Sequence, residues 1–160
     1  MLRAIDPVIA TVIIVAVTIA VAIAVALWMT GLVGGFTGTE NLQIVNAYAL
    51  ATTKPGQGWN ITLTVKNAGT TTATIDQVFV NGIPYDAIIL TSTTGATTTT
   101  VPVSLGVSLP LTLSPGNSTT IQIFIPLGTS SALSFSSGQQ VEIKLHTASG
   151  KTYPVQVVLP

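Results

Sequence analysis

Few side chains in this sequence could do chemistry. His146 is the sole histidine and there is no cysteine, so a catalytic triad, a thiolate metal site or a histidine cluster lacks the partners it needs. Asp76, Asp86 and Glu142 could in principle meet around a cation. Their spacing matches no calcium loop, where ligands recur every second residue, so they read as surface or turn carboxylates. Gly31, Gly34 and Gly35 follow an apolar run, whereas a phosphate loop sits after a strand and before a helix. The chain reads as a non-enzyme, with no catalytic, cofactor-binding or metal residues.

Modification is the chemistry that does have acceptors. Asn60-Ile61-Thr62 and Asn117-Ser118-Thr119 are sequons, so Asn60 and Asn117 could carry N-linked glycan on an exported chain. Asn117 falls in an expected turn and is the better placed, because Asn60 lies in an expected strand and needs an outward side chain. The run Thr91-Ser92-Thr93-Thr94-Gly95-Ala96-Thr97-Thr98-Thr99-Thr100 reads as a low-complexity loop. Thr97, Thr98 and Thr99 in it are acceptors for O-linked sugar.

The elements carrying these groups must be kept in solution without the usual charge. Of the 160 residues only 6% are charged and 48% are hydrophobic, where a soluble protein has roughly a quarter charged. Hydroxyl-rich surface with glycan, or burial between neighbouring copies, would each explain that deficit. Five basic residues balance five acidic ones, which leaves no basic patch for nucleic acid. The length holds one domain plus an appendage.

The appendage is N-terminal. From Pro7 to Phe36 no side chain ionises, and only Thr11, Thr18 and Thr30 carry a hydroxyl. Stretches such as Ala20 to Val25 alternate like a strand, but the run exceeds the roughly 20 apolar residues that cross a bilayer, and a lone strand there would leave its amides unpaired. A helix is expected over 7–35. Asp6 and Pro7 supply the start signal, and Gly34 and Gly35 supply a stop or a hinge before a linker over 36–41. Ala16, Ala20 and Ala24 recur every four residues and mark one face for close helix packing. Trp28 suits either an interface anchor or packing between helices. The segment is too long for a cleaved secretory signal.

The string Arg3-Ala4-Ile5-Asp6-Pro7-Val8-Ile9-Ala10-Thr11-Val12-Ile13-Ile14-Val15-Ala16-Val17 resembles the start of archaeal type IV pilin-like proteins, in which a basic and a small residue precede a Ser-Pro-Val-Ile-Ala-Thr-like stretch opening a long apolar helix. The resemblance is specific over about residues 3–33. It implies a prepilin peptidase cutting between Ala4 and Ile5, which makes residues 1–6 a leader or N-terminal extension. It further implies a membrane-inserted precursor, pilus assembly machinery, and a filament whose centre is a bundle of these helices.

After the linker, 42–160 breaks into short β-rich runs separated by Gly, Pro, Asn and Ser, as in a β-sandwich. Strands are expected at Leu42–Ala51, Trp59–Lys66, Thr72–Val80, Tyr85–Leu90, Val101–Leu109, Thr119–Ile125, Val141–His146 and Thr152–Leu159. Turns are expected at Asn67-Ala68-Gly69, Asn81-Gly82 and Pro115-Gly116-Asn117. Trp59, Ile61, Leu63 and Val65 alternate with polar residues, and Ile121, Ile123 and Ile125 repeat the pattern. The fold class is α+β: a long N-terminal apolar helix followed by an all-β, immunoglobulin-like sandwich.

These features together point to a homopolymeric structural subunit of an extracellular pilus-like filament on the cell surface, for adhesion or surface contact. Two other readings share them: an archaellin of a swimming filament, and a single-pass membrane-anchored β-sandwich that binds a ligand without polymerising.

Overall fold

A computed structural model of the chain describes residues 5–36, 38–52, 57–94, 97–130 and 133–160. It divides at residues 38 and 39 into two compact units, an N-terminal helix and a C-terminal β-domain.

Helix α1 spans Ile5–Phe36, 32 residues. It starts two residues before Pro7, which is therefore its third residue; the proline's missing N–H is still one of the four that no helix pairs. Its backbone continues through Gly34 and Gly35 and stops one residue later.

The β-domain is a sandwich of antiparallel strands. One sheet has the order β1 (Leu42–Thr52), β2 (Gly58–Asn67), β9 (Ser118–Pro126), β7 (Ser104–Leu105). The other runs β11 (Thr152–Val158), β10 (Gln140–Thr147), β3 (Ala73–Val80), β4 (Ile83–Pro84), with β8 (Leu111–Leu113) also paired to β3. Without β8, this is the A-B-E-D and G-F-C partition of an immunoglobulin-type sandwich, with β4 as an added strand beside C. A separate two-stranded sheet joins β5 (Ile89–Thr94) to β6 (Thr97–Pro102).

Period-2 alternation builds the core. Ile61, Leu63 and Val65 of β2, Ile121, Ile123 and Ile125 of β9, and Val141, Ile143 and Leu145 of β10 are all fully buried. The indole of Trp59 lies among them and donates to the Pro160 carbonyl at 3.0 Å. Asn81 and Gly82 have φ of 49° and 82°, the two positive values of the type I′ turn that twists β3 into β4.

Three expected segments differ. Tyr85–Leu90 is not one strand, because Tyr85–Ala87 forms a 3-10 turn after Pro84 and β5 begins at Ile89. Val101–Leu109 is broken into the end of β6 and the two-residue β7: Val103 N–H still donates to the Ile88 carbonyl, and from Ser104 the chain pairs with β9 instead. The Thr-rich stretch is no loop. Its described residues pair as a hairpin, with Thr91 opposite Thr100, Ser92 opposite Thr99 and Thr93 opposite Thr98. Threonine favours strands, and backbone pairing forms here without an apolar face to signal it.

Candidate assembly surfaces

The surface of α1 follows from its composition. Every side chain from Pro7 to Val33 is solvent-exposed in the single chain, including Ala16, Ala20 and Ala24, whose four-residue spacing sets them along one face. Trp28 is 67% exposed. The helix has no polar side, so it lacks the wet face of a helix that packs against a soluble core.

Its hydroxyls are already satisfied. Thr11 Oγ1 donates to the Val8 carbonyl and Thr18 Oγ1 to the Val15 carbonyl, both at 2.8 Å. Thr30 Oγ1 reaches the Ala26 and Leu27 carbonyls at 3.1 and 3.0 Å. No polar side-chain group on the described span therefore needs water or a partner. The span Pro7–Val33, 27 residues, is long and apolar enough to cross a membrane. The Ala4–Ile5 junction falls partly outside the described residues, because Ala4 is among those not described; Ile5 is the first residue of α1.

The β-domain begins on a built anchor. Thr70 N–H donates to the Thr39 carbonyl and Ala68 N–H to the Asn41 carbonyl, both at 2.8 Å. Thr39 N–H in turn reaches Thr70 Oγ1 at 3.0 Å, and Lys151 Nζ donates to the Glu40 carbonyl at 2.6 Å. A Cβ on Gly69 would lie 2.2 Å from the Thr39 carbonyl oxygen, so glycine is required for this close approach.

Behind that anchor lies a residue that sequence reasoning took only for a turn. Asn67 is fully buried. Its Nδ2 donates to the Thr71 and Leu113 carbonyls at 2.8 and 2.9 Å, and its Oδ1 accepts from Gly69 N–H at 2.9 Å. Its backbone N–H donates to the Asn117 carbonyl, and its carbonyl accepts from Gly116 N–H. One residue, through its side chain and its own backbone, thus ties two expected turns together.

The two sequon asparagines and the threonine run sit in different settings. Asn117 is exposed and closes the Ser114–Asn117 turn, where its N–H donates to the Ser114 carbonyl at 3.1 Å and Gly116 has φ 80°. This is a type II turn with proline and glycine in their usual places. Asn60 lies in the second strand of its sheet, between Leu50 of β1 and Phe124 of β9. Its Oδ1 is buried with no hydrogen-bond partner among the described residues, and the sequon's Thr62 is also buried. Thr98 and Thr99 are exposed on β6; the side chain of Thr97 is outside the described set.

Two ion pairs lie on the other sheet. His146 Nδ1 is 2.7 Å from Asp76 Oδ1, with the Phe79 ring edge-on to the imidazole, and Lys144 Nζ is 3.1 Å from Glu142 Oε2. Among the described residues no three histidine or acidic side chains are grouped to hold a metal ion.

The chain is similar to solved structures of two filaments and one stator protein. The archaeal flagellum of Methanospirillum hungatei strain JF1 shares 20% identity over 99% of this chain and 92% of that one, with a TM-score of 0.45. The Iho670 flagellar-like filament shares 14% over 96% and 98%, with a TM-score of 0.42. The archaellum periplasmic stator protein FlaG from Sulfolobus acidocaldarius shares 18% over 74% and 99%, with a TM-score of 0.38. Likeness at this level does not by itself assign a role to this chain. No protein-family model and no curated protein sequence matches it.

Proposed function

We propose that this chain is the structural subunit of an extracellular, pilus-like filament. The α1 helices of many copies form its dry core and the β-domains its outer sheath, presented for adhesion. The observation that carries the reading is α1: an uninterrupted helix, apolar on every side, whose hydroxyls bond its own backbone. Such a helix is stable only where its whole circumference meets lipid or other apolar helices. Lipid holds the precursor; other copies replace lipid on assembly, and packing along the Ala16, Ala20 and Ala24 face holds the fibre. A prepilin peptidase cutting between Ala4 and Ile5 would release the helix to the assembly machinery, with Gly34 and Gly35 as the hinge. Glycan sits on Asn117, in its exposed turn, and not on Asn60, whose sequon is built into a sheet.

Electron microscopy of material sheared from cells tests this. Helical fibres containing the chain are expected, and recovery only in detergent-solubilised membrane would instead establish a membrane-anchored protein that does not polymerise. Mass spectrometry of the fibre's N-terminus and of the Asn117 peptide checks processing and glycan. Ala20→Asp sets a charge in the dry core at a cost of about 3 kcal/mol per copy, so fibres should disappear while the β-domain's melting is unchanged. A normal fibre yield would sink the helix-core arrangement.

A further inference from the structure

We propose that neighbouring copies are also joined by strand addition between β-domains, the β5–β6 hairpin of one copy pairing along the free edge of β1 in the next. The inference rests on the filament reading and adds the contact that would link the outer domains.

Two incomplete β-surfaces motivate it. The first is β1, which ends its sheet. Leu42–Ala51 contains no charge and no proline, and on the side away from β2 its backbone groups have no hydrogen-bond partner among the described residues. Val45, Tyr48 and Leu50 are 62%, 41% and 58% exposed. Free edges are normally blunted by brevity, proline or charge, because an open row of amides and carbonyls templates another strand. The other edges of the two main sheets are blunted: β7 has two residues, β4 is two residues ending in Pro84, β8 has three residues, and β11 carries Pro154 as its third residue. A bulge interrupts β1 between Ile44 and Asn46, which leaves 46–51 regular; β11, the edge strand of the facing sheet, packs close to β1 without pairing to it.

The second surface is the hairpin. Two strands alone are marginal in water and need a third strand or an apolar cover. Past Leu90 the hairpin has no alternating apolar residues to bury. The outer side of β5 is held at Thr91, which exchanges backbone bonds of 2.9 and 3.1 Å with Thr129. The outer side of β6, Thr97–Pro102, makes no further backbone bond among the described residues. It is rich in threonine, which suits a strand.

Topology decides that the two meet between copies. From Pro102 the chain passes through Val103 into β7, the edge of the sheet opposite β1. One chain thus carries an unpaired edge at one end of a sheet and, at the other, a ribbon whose β6 side is unpaired among the described residues. Joined from copy to copy they make a head-to-tail contact, the kind that extends into an open array when it does not close into a ring. Neither joining strand bears a charge, and the ion pairs of the domain lie on β3 and β10, so the joint would desolvate no ion. The occupant is a second copy because this chain supplies both halves.

Cysteine pairs test the contact, since the natural chain has none. Tyr48→Cys or Leu50→Cys is combined with Thr99→Cys or Thr100→Cys, which covers both faces of β6, and sheared fibres are oxidised and run under denaturing conditions. At least one of the four double variants should give a ladder in steps of one chain, while every single variant runs as monomer. Hydrogen exchange of wild-type fibres gives a second readout: amides over 42–51 should exchange at least about tenfold more slowly than in the detergent-dispersed monomer. Fibres without any ladder and with unchanged exchange would overturn the strand addition and leave the filament reading standing. Dimers from Leu50→Cys alone would overturn it in favour of a symmetric contact, and absence of fibres from wild-type cells would overturn both.

Discussion

Helix α1 and strand β2 are written with much the same apolar residues and do opposite things with them. In α1, Val12, Ile13, Ile14 and Val15 follow one another and every one is exposed in the single chain. In β2, Ile61, Leu63 and Val65 alternate with polar residues and all are fully buried against the facing sheet. Threonine follows the same division. On α1 its hydroxyls turn back to the helix's own carbonyls, whereas Thr98, Thr99 and Thr100 of β6 face solvent. The β-domain closes its hydrophobic core within one chain, and the helix buries none of its span. A sequence that places β-branched residues all round a helix must obtain its apolar surroundings from outside.

Equal truncations in the two regions should break the comparison most sharply. Leu63→Ala leaves a cavity in the sandwich and should cost about 2–5 kcal/mol, lowering the midpoint of thermal unfolding by roughly 10–20 °C. Leu27→Ala removes the same atoms from an exposed position on α1. It should leave that midpoint within about 1 °C and instead reduce the yield of fibres. Calorimetry of the full chain in detergent, beside fibre counts by microscopy, measures both. A matching loss of melting temperature from Leu27→Ala would mean that α1 belongs to the β-domain's cooperative unit.

Within the β-domain, Asn67→Ala should have the next largest effect. It leaves the Thr71 and Leu113 carbonyls and the Gly69 N–H without their side-chain partner, at about 2–4 kcal/mol in total. Denaturant unfolding of the full chain in detergent would read it as a lower midpoint with an unchanged slope. Because Gly69 and Thr70 also hold the Thr39 carbonyl region, proteolysis near residue 39 should accelerate too. A midpoint matching wild type would show that water replaces the amide at no cost.

What the sequence made legible divides along physical lines. Trp59 to Val65 and Ile121 to Ile125 could be read because period-2 burial writes itself into residue type, and α1 because its length leaves no other structure able to satisfy its backbone. The Thr91–Thr100 hairpin could not, since a run written wholly in Thr, Ser, Gly and Ala carries no apolar–polar alternation. Nor could Asn67. Its burial depends on the Leu113–Asn117 corner returning to it from 46 positions away, and an asparagine before alanine and glycine looks the same whether its turn is wet or dry. The four-residue spacing of Ala16, Ala20 and Ala24 put a face on α1, but contacts between copies are not written in one chain.

Gly31 offers the smallest change and the finest test of whether α1 is shaped for a neighbour. A Cβ added there meets nothing within 4 Å in the single chain, and glycine inside a helix is about 1 kcal/mol less favourable than alanine. Considered alone, the helix would be better with alanine. Glycine at this position makes sense where another backbone comes close, as small residues allow at helix interfaces. Gly31→Ala should therefore leave the helicity of the detergent-dispersed monomer equal or slightly higher, while fibres lose a few degrees in their dissociation temperature. The opposite signs in the two states are the useful feature, because propensity alone raises both and a general loss of folding lowers both. Fibres as heat-resistant as wild type would place Gly31 away from the helix contacts and leave the Ala16, Ala20 and Ala24 face to carry the close packing.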